Sequence, residues 1–198
     1  MPEISETVNE AVEREQEAHS RLNSAVAIFV ALTATFMALC NIKDGNINQG
    51  MQQALSMTVD TWSYYQARSV KQHLAEVAVD ELQTQRALAP PAMQAMFDAK
   101  IKKYAEQAAK ENTEKKKLQK QAEDYQKQYD TLNFHDDQFD MSEALLSVSI
   151  AMFGITALTR KRWLIFVAII FMIFGTVMGL AGFFGWAIHP NSFAKFLS

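Results

Sequence analysis

Cysteine is almost absent from this chain, with Cys40 alone in 198 residues. That excludes a disulfide framework and every metal motif built on paired thiolates. Glycine and proline are also scarce, at seven and four, and no segment alternates apolar and polar residues over the length of a strand. The chain therefore reads as all-α. Basic charge is not in surplus: 19 Lys and Arg stand against 22 Asp and Glu, a net charge of −3. Without a broad basic surface, nucleic acid is not expected as a partner.

Charge is missing altogether from long stretches, and these set the architecture. The mean hydropathy of −0.10 looks soluble, but the average hides two apolar ends around a polar middle. A helix needs roughly 20 residues, at about 1.5 Å each, to cross about 30 Å of hydrocarbon. Three segments qualify. Leu22–Ile42 has no charge and follows an acidic leader, residues 1–21, that lacks the basic start of a signal peptide, so it reads as a retained anchor. A lipoprotein reading fails because Leu39 precedes Cys40, where processing needs a small residue. Residues 141–159 form the second segment, with Glu143 and Arg160 at its mouths, where both can snorkel. The third, residues 163–188, carries Trp163 and Trp186 as interfacial anchors at its two ends.

Only residues 160–162, Arg160, Lys161 and Arg162, separate the second and third segments. Short basic turns stay in the cytoplasm. This places the N-terminus inside, residues 43–140 outside in the periplasm, and the tail 189–198, with Lys195, outside.

The middle reads as two long helices broken at Pro90-Pro91. Leu55, Val59, Trp62, Val70, Leu74 and Val77 fall on one stripe of the first, with Tyr65 beside Trp62. Phe97, Ile101, Tyr104, Ala108, Leu118, Ala122, Tyr125, Tyr129 and Leu132 follow a 4,3 alternation on the second, interrupted by Glu111 and Lys115 at seam positions. The expected fold is an all-α membrane protein: three transmembrane helices plus a long extramembrane antiparallel helical, coiled-coil-like hairpin, about 55 Å tall at the helical rise per residue. Residues 43–50, with Asp44-Gly45, read as the turn leading into that hairpin. Thr7 and Glu10 have capping-box spacing within an acidic helix over residues 3–20. Lys110–Lys120 reads as a solvated helix face.

Three stretches carry a resemblance: GMQQALSMTVDTWSYYQARSVKQHL at residues 50–74, NFHDDQFDMSEALL at 133–146 and LTRKRW at 158–163. With one apolar helix before them and two after, the chain resembles an uncharacterised bacterial membrane family known as domain of unknown function 4337. The resemblance runs from about residue 10 to 188 and implies a multi-pass protein of the bacterial inner membrane. It implies no activity, ligand or catalytic residue.

The most suggestive polar cluster is His135, Asp136, Asp137 and Asp140, whose imidazole and carboxylates suit a divalent cation. The simpler reading makes Asp140 and Glu143 a capping box at the start of the second membrane helix. His73 reads as a packing residue, and Trp62, Tyr64 and Tyr65 as packing or a bilayer-surface group. No nucleophile, phosphate-loop or zinc motif is present, so neither an enzyme nor a cofactor is expected. Small residues line one face of each membrane helix: Ala27, Ala31, Ala34 and Ala38; Ser147, Ala151 and Gly154; Gly175, Gly179 and Gly182. Such faces let helix backbones approach in lipid, within one chain or between subunits.

The function expected from these features is that of a structural or interaction protein, a homo-oligomer whose outer hairpin self-associates or docks a periplasmic or membrane protein partner. A channel guarded by the acids at 136, 137 and 140 is one alternative, although the spans offer little polar lining. An accessory subunit of a larger membrane complex is another.

Overall fold

The computed structural model describes residues 2–188, with side chains from Val12 onward. The tail 189–198 with Lys195, and the side chains of the Thr7–Glu10 pair, lie outside the described residues. Three helices account for nearly all of it: α1, Pro2–Leu88, of 87 residues; α2, Pro91–Thr159, of 69; and α3, Trp163–Phe184, of 22. Each contains a stretch long and apolar enough to cross a membrane. The chain is all-helical among the described residues, as its lack of alternation required.

Two expected boundaries do not exist. Residues 43–50 are helix, not a turn, and α1 passes through Asp44-Gly45 without a break. A Cβ at Gly45 would meet nothing, so no tight approach demands glycine there. Its helix penalty of about 1 kcal/mol is local, whereas an established helix on either side propagates one hydrogen bond per residue. In the same way α2 runs uninterrupted through Asp140. Asp140 and Glu143 therefore have no helix start to cap and do not form a capping box.

The breaks that do form have local causes. Pro90 and Pro91 follow the end of α1, and Pro91 takes the first position of α2, where a missing N–H costs nothing. Arg160 ends α2 in the left-handed region at φ 59°, unusual for a residue with a side chain, and its N–H bonds Thr156 O at 2.9 Å. At the other end of α3, Gly185 adopts φ 67° and Trp186 N–H returns to Ala181 O at 2.9 Å. The third helix thus stops at Phe184 rather than at residue 188, and Trp186 lies past its end.

The chain divides into two compact units, one made of the residues up to Gln49 and from Leu132 onward, the other of Gly50–Thr131. In the first, α2 and α3 pack through the glycine face of α3. A Cβ at Gly175 would lie 2.8 Å from Leu146 Cγ, and one at Gly182 2.7 Å from the Phe139 ring. Ser142 and Ser149, both fully buried on α2, donate to Gly175 O and Ala168 O at 2.8 Å each. Such bonds satisfy hydroxyls that lipid could not. Phe29 of α1 stacks on Phe153 of α2 at 5.5 Å, joining Val26 and Ala168 in an apolar cluster.

In the second unit, Arg86 on α1 pairs with Asp98 on α2 across the reversal at Ala89 and Pro90. Farther along, Arg68 Nη1 meets Glu111 Oε2 at 2.9 Å. The inward positions of α1 are Met51, Ala54, Thr58, Thr61, Tyr65, Arg68, Gln72 and Ala75, all buried or half-buried at 3,4 spacing. On α2 the same holds for Phe97, Ile101, Tyr104, Ala108, Glu111, Lys115, Leu118, Ala122, Tyr125 and Tyr129.

Candidate functional site

The polar residues with the most unusual surroundings lie where α1, α2 and the end of α3 meet in the first unit. Gln138, fully buried, donates its amide to Trp186 O at 2.8 Å and Ile188 O at 2.7 Å, and accepts a 3.0 Å contact from His135 Nδ1. That side chain ties the segment after α3 back onto α2. Nothing in the sequence marks it, because an isolated glutamine carries no motif.

Beside it, Asp44 of α1 faces Asp136 of α2. Asp44 Oδ1 and Asp136 Oδ1 are shielded from solvent and meet no N–H or hydroxyl donor, while Asn48 Nδ2 reaches Asp44 Oδ2 at 3.3 Å. The two carboxyl groups are each other's partner, and the contact is a hydrogen bond only when one holds a proton. Burial first, then that bond and the charges of Asp44, Asp140 and Asp137, push Asp136 up to about 7. Asp140 is exposed as a whole residue, but partial withdrawal of its carboxyl from water, then the charges of Asp44, Asp137 and Glu143, raise it as well.

The proposed metal set does not assemble. His135 is turned to Gln138, Asp136 to Asp44, and Asp140 is exposed. Among the described residues no three His, Cys, Asp or Glu side chains converge as a cation would need. Helical spacing explains this: residues 135, 136, 137 and 140 point in at least three directions around one helix.

The small-residue faces separate into two kinds. Gly175, Gly179 and Gly182 are buried, and a Cβ at Gly179 would sit within 2.9 Å of Ser142 Oγ, Cys40 Sγ and Phe36 Cε1. Ala27, Ala31 and Ala38 are exposed, with Ala34 half-buried; Ser147, Ala151 and Gly154 are exposed too. Apart from Ser147, whose hydroxyl reaches Met37 Sδ of α1 at 3.6 Å, and the half-buried Ala34, these two stripes turn away from the chain's own helices. Val26, Phe29, Thr33 and Cys40 face inward on α1, and Ser142, Leu146, Ser149 and Phe153 on α2. Arg160, Lys161, Arg162 and Trp163 are exposed at the α2–α3 turn, and Trp186 is exposed beyond α3.

In the second unit the seam residues Trp62, Tyr65, Ile101, Tyr104, Leu118, Tyr125 and Tyr129 are all half-buried. Trp62 and Tyr65 meet edge to face at 5.2 Å, and Lys115 Nζ lies 5.8 Å over the Tyr65 ring. Glu111, an apparent interruption of the seam, is buried against Arg68. The apolar stripe assigned to α1 is misphased, however. Leu55, Val59, Val70, Leu74 and Val77 are exposed, Leu74 by 62%, and smaller residues face α2 instead. His73 is exposed, so it is not a packing residue.

The fold thus defines an all-helical protein with three helices of membrane-crossing length and composition. Within that class the chain belongs to the family described as domain of unknown function (DUF4337), whose model matches residues 22–185. The matched range begins at the first apolar run and ends at the glycine that closes α3. Comparison with curated proteins and with solved structures gives no match.

Proposed function

We propose that this protein is a non-enzymatic structural or interaction component of the bacterial inner membrane. In this reading residues 43–140 form an extramembrane helical hairpin, coiled-coil-like in its packing, that assembles with further copies of the same chain. One observation carries it. Leu55, Val59, Val70, Leu74 and Val77 form an apolar stripe on α1, interrupted by Ser63, Gln66 and His73, that its helical partner leaves uncovered. Stripes of this length on water-facing helices mark interaction surfaces. Their steps of 4, 11, 4 and 3 residues keep them on one side of the helix, where a second helix can pack.

A second copy is the favoured occupant because it supplies the same stripe, and an isologous contact needs only one evolved surface. The exposed Ala27, Ala31, Ala38 and Ser147, Ala151, Gly154 faces give such an assembly a close-packing surface within lipid as well. A partner protein docked on the same stripe is the competing occupant.

Disulfide trapping tests the reading. In a Cys40→Ser background, Leu74→Cys in native membranes is expected to give a dimer-sized band on mild oxidation, whereas Glu76→Cys, exposed and about 160° around α1 from Leu74, is not. Equal cross-linking at both positions, or at neither, contradicts it.

A further inference from the structure

At the opposite end of the first unit from the Asp44–Asp136 contact lies a cavity of about 490 Å³, lined by Arg14, Glu17, Ala18, Arg21 and Leu22 of α1 and by Arg162 of the α2–α3 turn. Two separate chain segments bring three guanidiniums to one concavity. Among the described residues of its lining three are arginines and one, Glu17, is a carboxylate, 3.6 Å from Arg21. Its volume lies within the range of about 300–1,000 Å³ typical of small-ligand sites.

Its position along the chain specifies the ligand further. Leu22 opens the charge-free run of α1, and Trp163 directly after Arg162 opens α3 with its indole exposed. The guanidiniums therefore sit where two apolar segments begin, at the depth of lipid phosphates if those segments cross a bilayer. Arg162 also precedes the N-terminus of α3, which has no side-chain cap and no acidic residue in its first turn. The N–H groups of Leu164 and Ile165 turn to Lys161 O and Arg162 O, and the positive end of the helix adds to the cationic character of the turn. Guanidinium offers paired donors that match phosphate oxygens, and cationic pockets between membrane helices select anionic headgroups.

We propose that this cavity binds the phosphodiester headgroup of an anionic phospholipid, with Arg14, Arg21 and Arg162 as its phosphate ligands. The site rests on the membrane reading of α1 and α3 but not on self-association of the outer helices. It fixes the turn between α2 and α3 against the start of α1 through a lipid, and it makes an acidic leaflet the preferred environment of that end.

Native mass spectrometry of the full chain in neutral detergent tests this with three probes: phosphatidylglycerol, phosphatidylcholine and water-soluble glycerol phosphate. The wild type is expected to retain phosphatidylglycerol about tenfold more tightly than phosphatidylcholine, a difference of about 1.4 kcal/mol. Arg14→Gln with Arg162→Gln should abolish that preference. Arg162→Lys, which keeps the charge and guards against misfolding, should lose about threefold because the paired donors are gone. Lys43→Gln, one charge removed elsewhere, should match the wild type. Undiminished preference in the double variant, an equal loss in Lys43→Gln, or equal affinity for glycerol phosphate overturns the headgroup site. A wild-type chain that stays in the aqueous phase on detergent partition overturns the membrane reading beneath it.

Discussion

Asp44 and Asp136 face each other across α1 and α2, each with a carboxyl oxygen shielded from water and supplied with no donor by the rest of the protein. The contact is stable with one proton between the two groups and repulsive without it. Asp136, ordinarily near 3.8 and here near 7, binds a proton more readily in the folded chain than in the unfolded one. Its contribution to stability is therefore complete below about 3.8 and is lost as the pH rises through about 7. Thermal unfolding in detergent followed by circular dichroism should give a lower midpoint at about pH 8 than at about pH 5. Asp136→Asn, which keeps a donor toward Asp44 at every pH, should flatten that dependence and raise the midpoint at the alkaline end. An unchanged slope in the variant contradicts the shared proton.

The buried pair Arg68–Glu111 makes an asymmetric prediction. Glu111 has 9% of its side chain exposed and Arg68 38%, so removing the arginine strands a carboxylate, while removing the carboxylate leaves a guanidinium that can turn to water. Arg68→Ala should cost about 2–3 kcal/mol, below the fully buried range because Arg68 is partly solvated, and Glu111→Ala about 1 kcal/mol. Replacing both with Met and Leu should be near neutral. Denaturation of the three variants measures this, and equal losses in the two single variants would count against it.

Glycines on two faces of the membrane-length helices should behave oppositely. A side chain at Gly179 collides with Ser142, Cys40 and Phe36, whereas one at Gly154 meets nothing. Gly179→Val is expected to destabilise the fold by about 1–3 kcal/mol or more, the cost of overpacking. Gly154→Ala should leave it unchanged or more stable by up to about 1 kcal/mol. If Gly154→Leu lowers the oligomeric state while helicity and midpoint are kept, the exposed face is an interface between chains.

Gln138 holds the carbonyls of Trp186 and Ile188 at 2.8 and 2.7 Å. Gln138→Leu is nearly the same size and removes both bonds, leaving two carbonyls to find other donors. A cost of about 1–3 kcal/mol is expected, with faster hydrogen exchange at Trp186 N–H. Exchange no faster than in the wild type would show that Gly185 alone holds the turn.

The helical class, the three apolar runs, the break at the prolines and the inward face of α2 were all legible in the sequence, because each rests on a pattern many residues long. The glycine face of α3 was legible for the same reason. Phase on α1 was not: Leu55, Val59, Leu74 and Val77 are the conspicuous apolar residues, yet Ala54, Thr58, Thr61 and Ala75 are the ones that fit against α2. Close-packed helices favour small side chains at the contact, so the brightest apolar stripe pointed the wrong way. The cap at Asp140 and the turn at Asp44-Gly45 failed because both are local signals overridden by a continuous helix. The cavity of Arg14, Arg21 and Arg162 joins residues some 140 positions apart in the chain, and no local pattern announces it.

Molar mass in mild detergent, by light scattering with the detergent contribution subtracted, tests the self-association claim most directly. The wild type should run as a multiple of 22.3 kDa at micromolar concentration. Val70→Glu with Leu74→Glu, placed on the exposed stripe and harmless to the inward face, should lower that multiple with helicity unchanged. A wild-type monomer, or a variant with the same mass as the wild type, would contradict the account.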